Sequence, residues 1–269
     1  MINFLLQTVN NKVRHDFVFE MINAIEYHNW RTPNSMRIYY SELNDLEKLK
    51  DDEFIKTCIP IGTIEFVYKF IDTFIKPNGS KEIYPLNIPD DLIYYQYTKR
   101  HVDNIEINND IMSRVQWYEW MRDDALWDTC FIKSNDIIKS SVNDFYKIDD
   151  ILDKKLIPNG KYQLSECINI VSEYRCFVYN NDLKGIQYYS GDFTKFPNVD
   201  RIYEMIDVFS DSAPQAYTLD IAITDKKETV VIEVHEFYSC GLYGFNDYQV
   251  LPYMFKRVFD NIKNRLING

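Results

Sequence analysis

Two segments in the second half of the chain alternate between apolar and polar residues with the period of a β-strand. Residues 173–191 have the sequence EYRCFVYNNDLKGIQYYSG, and residues 217–237 have the sequence YTLDIAITDKKETVVIEVHEF. Each segment is interrupted by a short polar stretch, at 180–182 and 225–227, of the kind that favours a tight turn. The pattern therefore predicts two antiparallel hairpins.

Two shorter apolar runs have the composition of single strands. Residues 128–136 (DTCFIKSND) predict a strand that ends in Lys133, and residues 162–168 (YQLSECI) predict a second one. Neither run is separated from its neighbours by a long helical segment. The second half therefore favours antiparallel pairing over alternating βαβ units.

Helical spacing of apolar residues occurs in three other segments, at 15–30, 114–127 and 249–269. Residues 57–74 (TCIPIGTIEFVYKFIDTF) begin as a short strand, turn at Pro-Ile-Gly and continue as a helix. The chain is thus predicted to belong to the mixed α+β class.

One stretch has the composition of a loop or domain boundary. Residues 76–91 (KPNGSKEIYPLNIPDD) are rich in Pro, Asn and Gly. We place the boundary between about 80 and 115 and divide the chain into an N-terminal α/β domain, 1–100, and a second domain, 101–269.

Composition narrows the class of protein. Hydrophobic residues make up 46% of the chain and aromatic residues 16%, which is typical of a folded domain. The 30 basic and 41 acidic residues give a formal charge of −11, which disfavours general binding to nucleic acid. The richness in Asn, Ile, Lys, Tyr and Phe is typical of an AT-rich genome, such as that of a virus.

Cysteine usage and hydropathy predict a cytoplasmic protein. The five cysteines occur singly, without a CxxC pair, as expected for thiols in a reducing compartment. No apolar run reaches the roughly 20 residues of a membrane span, and the N-terminus lacks the features of a signal peptide. We therefore expect no membrane partner.

Candidate metal ligands lie on the second hairpin. Strand alternation places Glu233 and His235 on one face, and pairing across the short turn brings Asp220 alongside them. Two carboxylates and a neighbouring donor are a plausible site for Mg²⁺, which prefers oxygen ligands. The alternative is a solvated strand face with a salt bridge, because charged residues are common on exposed strands.

Candidate phosphate-binding residues lie on the other strands. Lys133 ends an apolar strand, so its stem can pack while its ammonium projects into a cleft, and Lys139 and Lys147 follow on a polar segment. Arg175 lies two positions after Glu173, which could hold its guanidinium in place to bind a phosphate or an acyl phosphate. The alternatives are a solvent-exposed lysine and a structural Arg–Glu pair.

Taken in order, these segments resemble the ATP-grasp superfamily, and more closely its small carboxylate–amine (peptide) ligase-like branch of bacteria and tailed phages. The resemblance covers about residues 110–260. It is carried by the segments CFIKSNDIIKS, YQLSECI, SEYRCFVYNNDLKGI, AYTLDIAI and VVIEVHEFYSCGLYG. The ordered series is more specific than any one of these short motifs.

The resemblance implies an ATP-grasp fold with an N-terminal pre-ATP-grasp domain, and it implies roles for residues. Asp220 and Glu233 would hold Mg²⁺, and Arg175 would stabilise the transferring phosphoryl group. The remaining nucleotide-site residues that it implies are Lys133 on the ATP phosphates, Gln163, Leu164, Ser165 and Glu166 around the adenine and ribose, and Lys139 and Glu173.

The chain departs from the family pattern at His235. The family usually has asparagine at this position, and imidazole nitrogen is a poorer Mg²⁺ ligand than an amide oxygen. The departure leaves two interpretations open, a preference for Mn²⁺ or a contact between His235 and substrate. Gly241 and Gly244 allow the next loop to approach the phosphates or the acceptor closely.

The resemblance implies an ATP-dependent ligase that joins a carboxylate to an amine through an acyl phosphate and releases ADP and phosphate. The acceptor could be a small amino acid, a peptide or a protein side chain. The alternative is a nucleotide-binding module that interacts with a host protein without ligating anything.

Several other features have simpler explanations. Lys76 begins a KPNG sequence that matches a nucleotidyl-lysine motif, but Pro-Asn-Gly recurs at 158–160 and favours a turn. A helix that packs on the core accounts for the tryptophans of 114–127, and a helix start accounts for Glu65. The residues interpreted as surface or capping side chains are His15, His28 and His101.

Overall fold

A parallel three-stranded sheet forms the centre of the N-terminal part. The computed structural model describes residues 1–108, 110–124 and 127–268. The strands, in the spatial order β2-β1-β3, are β1 (Ile2–Thr8), β2 (Met36–Glu42) and β3 (Ile59–Ile61). The helices of this part are α1 (Asp16–Arg31), between β1 and β2, and α2 (Ile64–Phe70), after β3. The N-terminal part therefore has the α/β arrangement that we expected.

The local sequence explains these elements. Phe4, Leu5 and Leu6 on the central strand β1 are all fully buried, as expected for a parallel strand that is covered on both faces. Thr63 caps α2, because its hydroxyl accepts a hydrogen bond from the backbone N–H of Phe66.

A four-stranded antiparallel sheet, which we call the lysine sheet, follows in the chain. Its spatial order is β4-β7-β5-β6. Its strands are β4 (Val102–Ile107), β5 (Thr129–Ser134), β6 (Asp144–Lys147) and β7 (Gly160–Glu166). Before and within it lie the helices α3 (Tyr95–Thr98) and α4 (Ile111–Glu119). The lysine sheet carries Lys133 on β5.

A second four-stranded antiparallel sheet, which we call the acidic sheet, contains both predicted hairpins. Its spatial order is β11-β10-β8-β9. Its strands are β8 (Ile170–Tyr179), β9 (Asp182–Gly191), β10 (Ala216–Thr224) and β11 (Thr229–Glu236), with α5 (Val199–Phe209) between the hairpins and α6 (Leu251–Asn268) after them. Asn180 and Asn181 in the first turn both have a left-handed backbone. The two hairpins are therefore confirmed.

Short 3₁₀ and π turns complete the described structure. The 3₁₀ turns are Leu43–Leu49, Ile55–Thr57, Gly79–Glu82, Asp90–Leu92 and Ile148–Leu152, and the π turns are Ile71–Ile75 and Trp120–Asp124.

Three clusters of buried side chains stabilise the fold. The largest joins the N-terminal sheet to α6, as in the contact between the rings of Phe70 and Phe259, whose centroids are 5.8 Å apart. The second lies between the acidic sheet and α5, and the third lies behind the lysine sheet and includes Trp127. These clusters cover one face of each antiparallel sheet and leave polar residues on the other. The division of the chain at residue 100 stays a prediction.

The predicted helices at 15–30, 57–74, 114–127 and 249–269 correspond to helical segments, with ends shifted by a few residues. The tryptophans of 114–127 pack on or within the third cluster, as the simpler interpretation predicted. No helix in the described part of the chain is both long enough and apolar enough to cross a membrane.

Candidate nucleotide and metal site

The three predicted metal ligands converge on one face of the acidic sheet. Asp220 on β10 lies directly opposite Glu233 on β11, and His235 follows two residues later on the same face. One ligand atom from each of the three side chains lies within 4.8 Å of the others. Asp220 is only 1% exposed. The structure therefore gathers two carboxylates and an imidazole into one group that can hold a cation.

Arg175 lies across the sheet from the same carboxylate. The register pairs Arg175 on β8 with Asp220, and the guanidinium donates from Nε to Oδ1 at 2.8 Å and from Nη2 to Oδ2 at 2.7 Å. Nη1 donates to the carbonyl oxygen of Gly241 at 3.2 Å. Burial alone would lower the pKa of Arg175, but its hydrogen bonds and ion pair with Asp220 outweigh burial and raise it. Arg175 is therefore a fixed cation.

The partner of Arg175 is Asp220, which corrects our expectation that Glu173 would hold the guanidinium. The carboxylate of Glu173 instead accepts a hydrogen bond of 3.0 Å from the hydroxyl of Tyr189. The ring of Tyr189 stacks on that of Tyr243 at 5.1 Å, and the guanidinium carbon of Arg175 lies 5.8 Å and 5.2 Å from their two ring centroids. Glu173 thus acts on Arg175 through an aromatic side chain.

Lys133 connects the lysine sheet to the acidic sheet. Its ammonium forms an ion pair with Oε2 of Glu233, and both side chains are largely buried. Burial lowers the pKa of Lys133 to about 8. Lys133 therefore lies where the sequence predicted it, beside the metal-binding carboxylates.

His235 contacts the same glutamate from the other side. Its Nε2 lies 2.5 Å from Oε1 of Glu233. Partial burial lowers the pKa of His235 to about 4, so the ring is neutral at pH 7. A neutral ring has a lone pair for a metal ion.

A cavity of about 580 Å³ opens in front of these residues. Its walls include Lys133, Arg175, Glu233, His235 and the loop residue Lys139. Gly241 also lines the cavity, whereas Gly244 has the left-handed backbone (φ +92°) that glycine adopts without strain. The predicted cationic and acidic residues are therefore brought to one space.

The N-terminal part supplies the opposite wall. His15, Phe17 and Ile64 line the cavity, and Asp16 accepts a hydrogen bond of 2.9 Å from the backbone N–H of Leu242. His15 is thus a cavity residue, which corrects its interpretation as a surface or capping side chain. Its side chain caps no backbone group, and its Nε2 has no hydrogen-bond partner among the described residues.

The four residues predicted to surround adenine lie on β7, outside the lining of this cavity. The side chain of Gln163 is buried and bonds both ways with the backbone of Ile88, at 3.1 Å and 2.9 Å. Leu164 belongs to the third core cluster, Ser165 is buried, and the backbone of Glu166 donates to His101. The adenine contacts of these four residues stay a prediction.

An aromatic pair that sequence reasoning missed lies beside Lys133. Phe131 shares the face of Lys133 by strand alternation, and its ring centroid is 4.9 Å from that of Phe145 on β6. Phe145 is 66% exposed. An exposed aromatic face next to a phosphate-binding lysine can stack on a purine base. Pairing of β5 with β6 creates this arrangement, so neither segment shows it alone.

A second missed residue is Arg100, which is only 6% exposed. Its Nη1 donates to the carbonyl oxygens of Thr98 and Val231, and no carboxylate lies within ion-pair distance among the described residues. Burial lowers its pKa to about 10, and its charge in turn lowers the pKa of Lys133. A buried cation without a counter-ion is suited to an anionic ligand. No motif marks Arg100 in the sequence.

The remaining candidates have structural roles. Lys76 forms an ion pair with Glu82 beside a turn in which Asn78 has a left-handed backbone. Nε2 of His28 lies 2.9 Å from the carbonyl oxygen of Tyr248, and the ring of His101 packs between Tyr95 and Trp127. Glu65 is exposed in the first turn of α2. The KPNG sequence is therefore a turn, as the simpler interpretation predicted.

Solved structures share this fold at very low sequence identity. D-alanyl-alanine synthetase A from Vibrio cholerae aligns with a TM-score of 0.54 and 10% identity over 97% of this chain and 99% of that chain. D-alanine–D-alanine ligase from Bacillus anthracis complexed with ATP aligns with 0.50 and 11% over 98% of each chain. D-cycloserine synthetase DcsG aligns with 0.53 and 11% over 98% of this chain and 99% of that chain.

A family profile is more specific than these structural likenesses. No curated protein matches the chain. Residues 106–253, which are more than half of the chain, match a family described as an ATP-grasp domain, the second family of its clade. The matched segment contains the lysine sheet, the acidic sheet and every predicted metal ligand. The chain belongs to this family of the ATP-grasp superfamily.

Proposed function

We propose that the protein is an ATP-dependent carboxylate–amine ligase that forms an amide through an acyl phosphate and releases ADP and phosphate. The observation that carries this proposal is the convergence of Lys133, Arg175, Asp220 and Glu233 on one cavity. The ligase and synthetase names of the solved structures with the same fold are in line with it.

The donor set fits a divalent cation. Asp220 and Glu233 offer carboxylate oxygens, which hard cations prefer, and their ligand atoms are already close together. A cation bound here would offset negative charge on the β- and γ-phosphate oxygens of ATP.

Arg175 has the donors that phosphoryl transfer needs. An arginine carries five N–H groups, and three of them are bonded to Asp220 and Gly241. The two that remain lie one on each terminal nitrogen, so they can form a bidentate contact with a phosphoryl group. Because Asp220 fixes the guanidinium, little reorganisation accompanies charge development in the transition state.

Lys133 and Arg100 would bind the rest of the triphosphate. Lys133 would exchange its contact with Glu233 for a phosphate oxygen, and the nucleotide would supply the counter-ion that Arg100 lacks. The pair Phe131 and Phe145 would stack on adenine, near the predicted contacts of β7. These residues position ATP, and positioning accounts for much of the catalysis in phosphoryl transfer.

The two organic substrates would occupy the side of the cavity that the N-terminal part closes. The carboxylate would lie near Arg175 and the γ-phosphate, so that a carboxylate oxygen attacks phosphorus and ADP leaves. The amine would then attack the acyl carbon, forming the C–N bond as the C–O bond to phosphate breaks. Phe17 and Ile64 provide apolar contact for an amino acid, a peptide or a protein side chain.

The experiment measures ADP release from ATP with pooled amino acids, peptides and amines. We expect the wild type to release ADP only when a carboxylate is present, and we expect loss of this activity in Glu233→Gln and Lys133→Ala. Lys195→Ala, at an exposed lysine away from the cavity, is the control and should match the wild type. Equal ADP release by all four proteins would refute the proposal.

Calorimetry separates the ligase from the alternative. ATP binding without any ADP release, over the whole substrate pool, would favour a nucleotide-binding module. No ATP binding at all would refute both functions.

A further inference from the structure

A buried hydroxyl group lies directly across the acidic sheet from His235. The register pairs Thr218 on β10 with His235 on β11, and alternation places both on the face of Asp220 and Glu233. Thr218 is fully buried, and its Oγ1 has no hydrogen-bond partner among the described residues.

An unbonded buried hydroxyl costs stability, because the group has lost its hydrogen bonds to water. Side chains directly opposite each other on antiparallel strands are close enough to contact. A histidine that binds a metal through one ring nitrogen commonly donates a hydrogen bond from the other, which fixes the orientation of the ring. Thr218 is therefore in the right place to accept such a bond from His235.

We propose that His235 binds the divalent cation through Nε2 while its Nδ1–H donates to Oγ1 of Thr218. The inference rests on the proposed cation site and deepens it, since it assigns an outer partner and a preferred metal. The ring stays neutral, with its single proton on Nδ1. Oε1 of Glu233, which now contacts Nε2, becomes available to the same cation.

This donor set determines which cation binds best. Two carboxylate oxygens alone suit Mg²⁺, but an imidazole nitrogen adds affinity for first-row transition metals. The site therefore binds Mn²⁺ in preference to Mg²⁺. Of the two roles that the sequence left open for His235, metal coordination is the one that the geometry favours, since its Nε2 already lies among the ligand atoms.

The test measures Mn²⁺ binding by electron paramagnetic resonance, with ADP present and without turnover. We expect pulsed spectra of the wild type to show the nuclear spin of a directly bound imidazole nitrogen, and we expect His235→Asn to lack it. Thr218→Val should weaken Mn²⁺ binding by about 10- to 100-fold, as losses of outer partners do. Mg²⁺ should displace Mn²⁺ more easily from both variants than from the wild type.

Two further variants separate this role from a general loss of structure. Thr218→Ser keeps the hydroxyl and should retain Mn²⁺ affinity. Ser172→Ala removes another buried, unbonded hydroxyl from the opposite face of the same sheet, and it should leave Mn²⁺ affinity unchanged. Thr218→Val should unfold at the same temperature as the wild type or higher, because it removes an unsatisfied polar group.

Absence of the nitrogen signal in the wild type would overturn the proposal, as would equal Mn²⁺ affinity in Thr218→Val and the wild type. A protein that shows the signal but releases no ADP would retain this metal site while refuting the ligase function. The two proposals can therefore fail separately.

Discussion

Lys133 and Glu233 form an ion pair that joins the lysine sheet to the acidic sheet across the nucleotide cavity. The lysine would bind phosphate and the glutamate would bind the cation, so without ligands the two neutralise each other. A triphosphate that arrives without a cation meets the negative charge of Glu233 and competes with it for Lys133.

This relationship predicts opposite effects of one substitution on binding and on turnover. Glu233→Gln should bind metal-free ATP about fivefold more tightly than the wild type, since it removes a repulsive charge worth about 1 kcal/mol. The same variant should lose ADP release, because a cation ligand is gone. Calorimetry in the presence of a chelator measures the first effect, and weaker metal-free binding by the variant would contradict this account of the pair.

The pair of Arg175 with Asp220 predicts a large effect on stability. Asp220→Asn leaves a buried guanidinium without its counter-ion, and removing one partner of a buried pair costs about 3–5 kcal/mol. Urea denaturation followed by circular dichroism measures the free energy of unfolding.

The control for this measurement is Asp260→Asn, which breaks the half-exposed pair of Lys256 and Asp260 on α6. We expect it to cost less than about 1 kcal/mol. Similar losses in the two variants would mean that Asp220 and Arg175 are not a buried pair in solution.

The hydrogen bond between Asp16 and Leu242 predicts a link between α1 and the loop that carries Gly241. In Asp16→Ala the backbone N–H of Leu242 loses its acceptor, while Arg175 still bonds to Gly241. We expect faster hydrogen exchange in the peptide that covers 237–245 and a lower kcat, with little change in ATP affinity. Asp211→Ala, at an exposed residue in a turn, should change none of these quantities; unaltered exchange in Asp16→Ala would exclude the link.

The aromatic pair predicts a specific loss of base binding. Phe145→Ala should weaken ATP binding by about tenfold, within the range of about 1–3 kcal/mol for stacking of one base. It should leave the binding of inorganic tripolyphosphate unchanged, because that ligand has no base. Phe193→Ala removes an equally exposed phenylalanine from another surface and serves as the control. Equal losses for ATP and tripolyphosphate would show that Phe145 does not contact the base.

The acidic sheet was largely predictable from the sequence, because its information is local. Alternation and short turns decide which residues of β10 and β11 share a face, so the sequence alone was enough to group Asp220, Glu233 and His235. The N-terminal strands were harder to identify, because a short apolar run such as the one in β1 fits a buried strand or a buried helix equally well.

The partner of Arg175 was wrong for a geometrical reason. Residues two apart on a strand are separated by about 6.6 Å, whereas residues directly opposite on paired strands lie about 4.5–5.5 Å apart. Asp220 is opposite Arg175, so it forms the ion pair in preference to Glu173. Arg100 and His15 were missed because tertiary packing alone brings them to the site.

Trapping with hydroxylamine tests the central claim most directly. Hydroxylamine attacks an acyl phosphate and converts it to a hydroxamate, which gives a coloured ferric complex, and phosphorus NMR identifies the nucleotide product. We predict a hydroxamate with ADP and phosphate from the wild type and a carboxylate pool, and neither product from Glu233→Gln. Formation of AMP and pyrophosphate, or ADP release without any hydroxamate, would contradict the acyl-phosphate ligase.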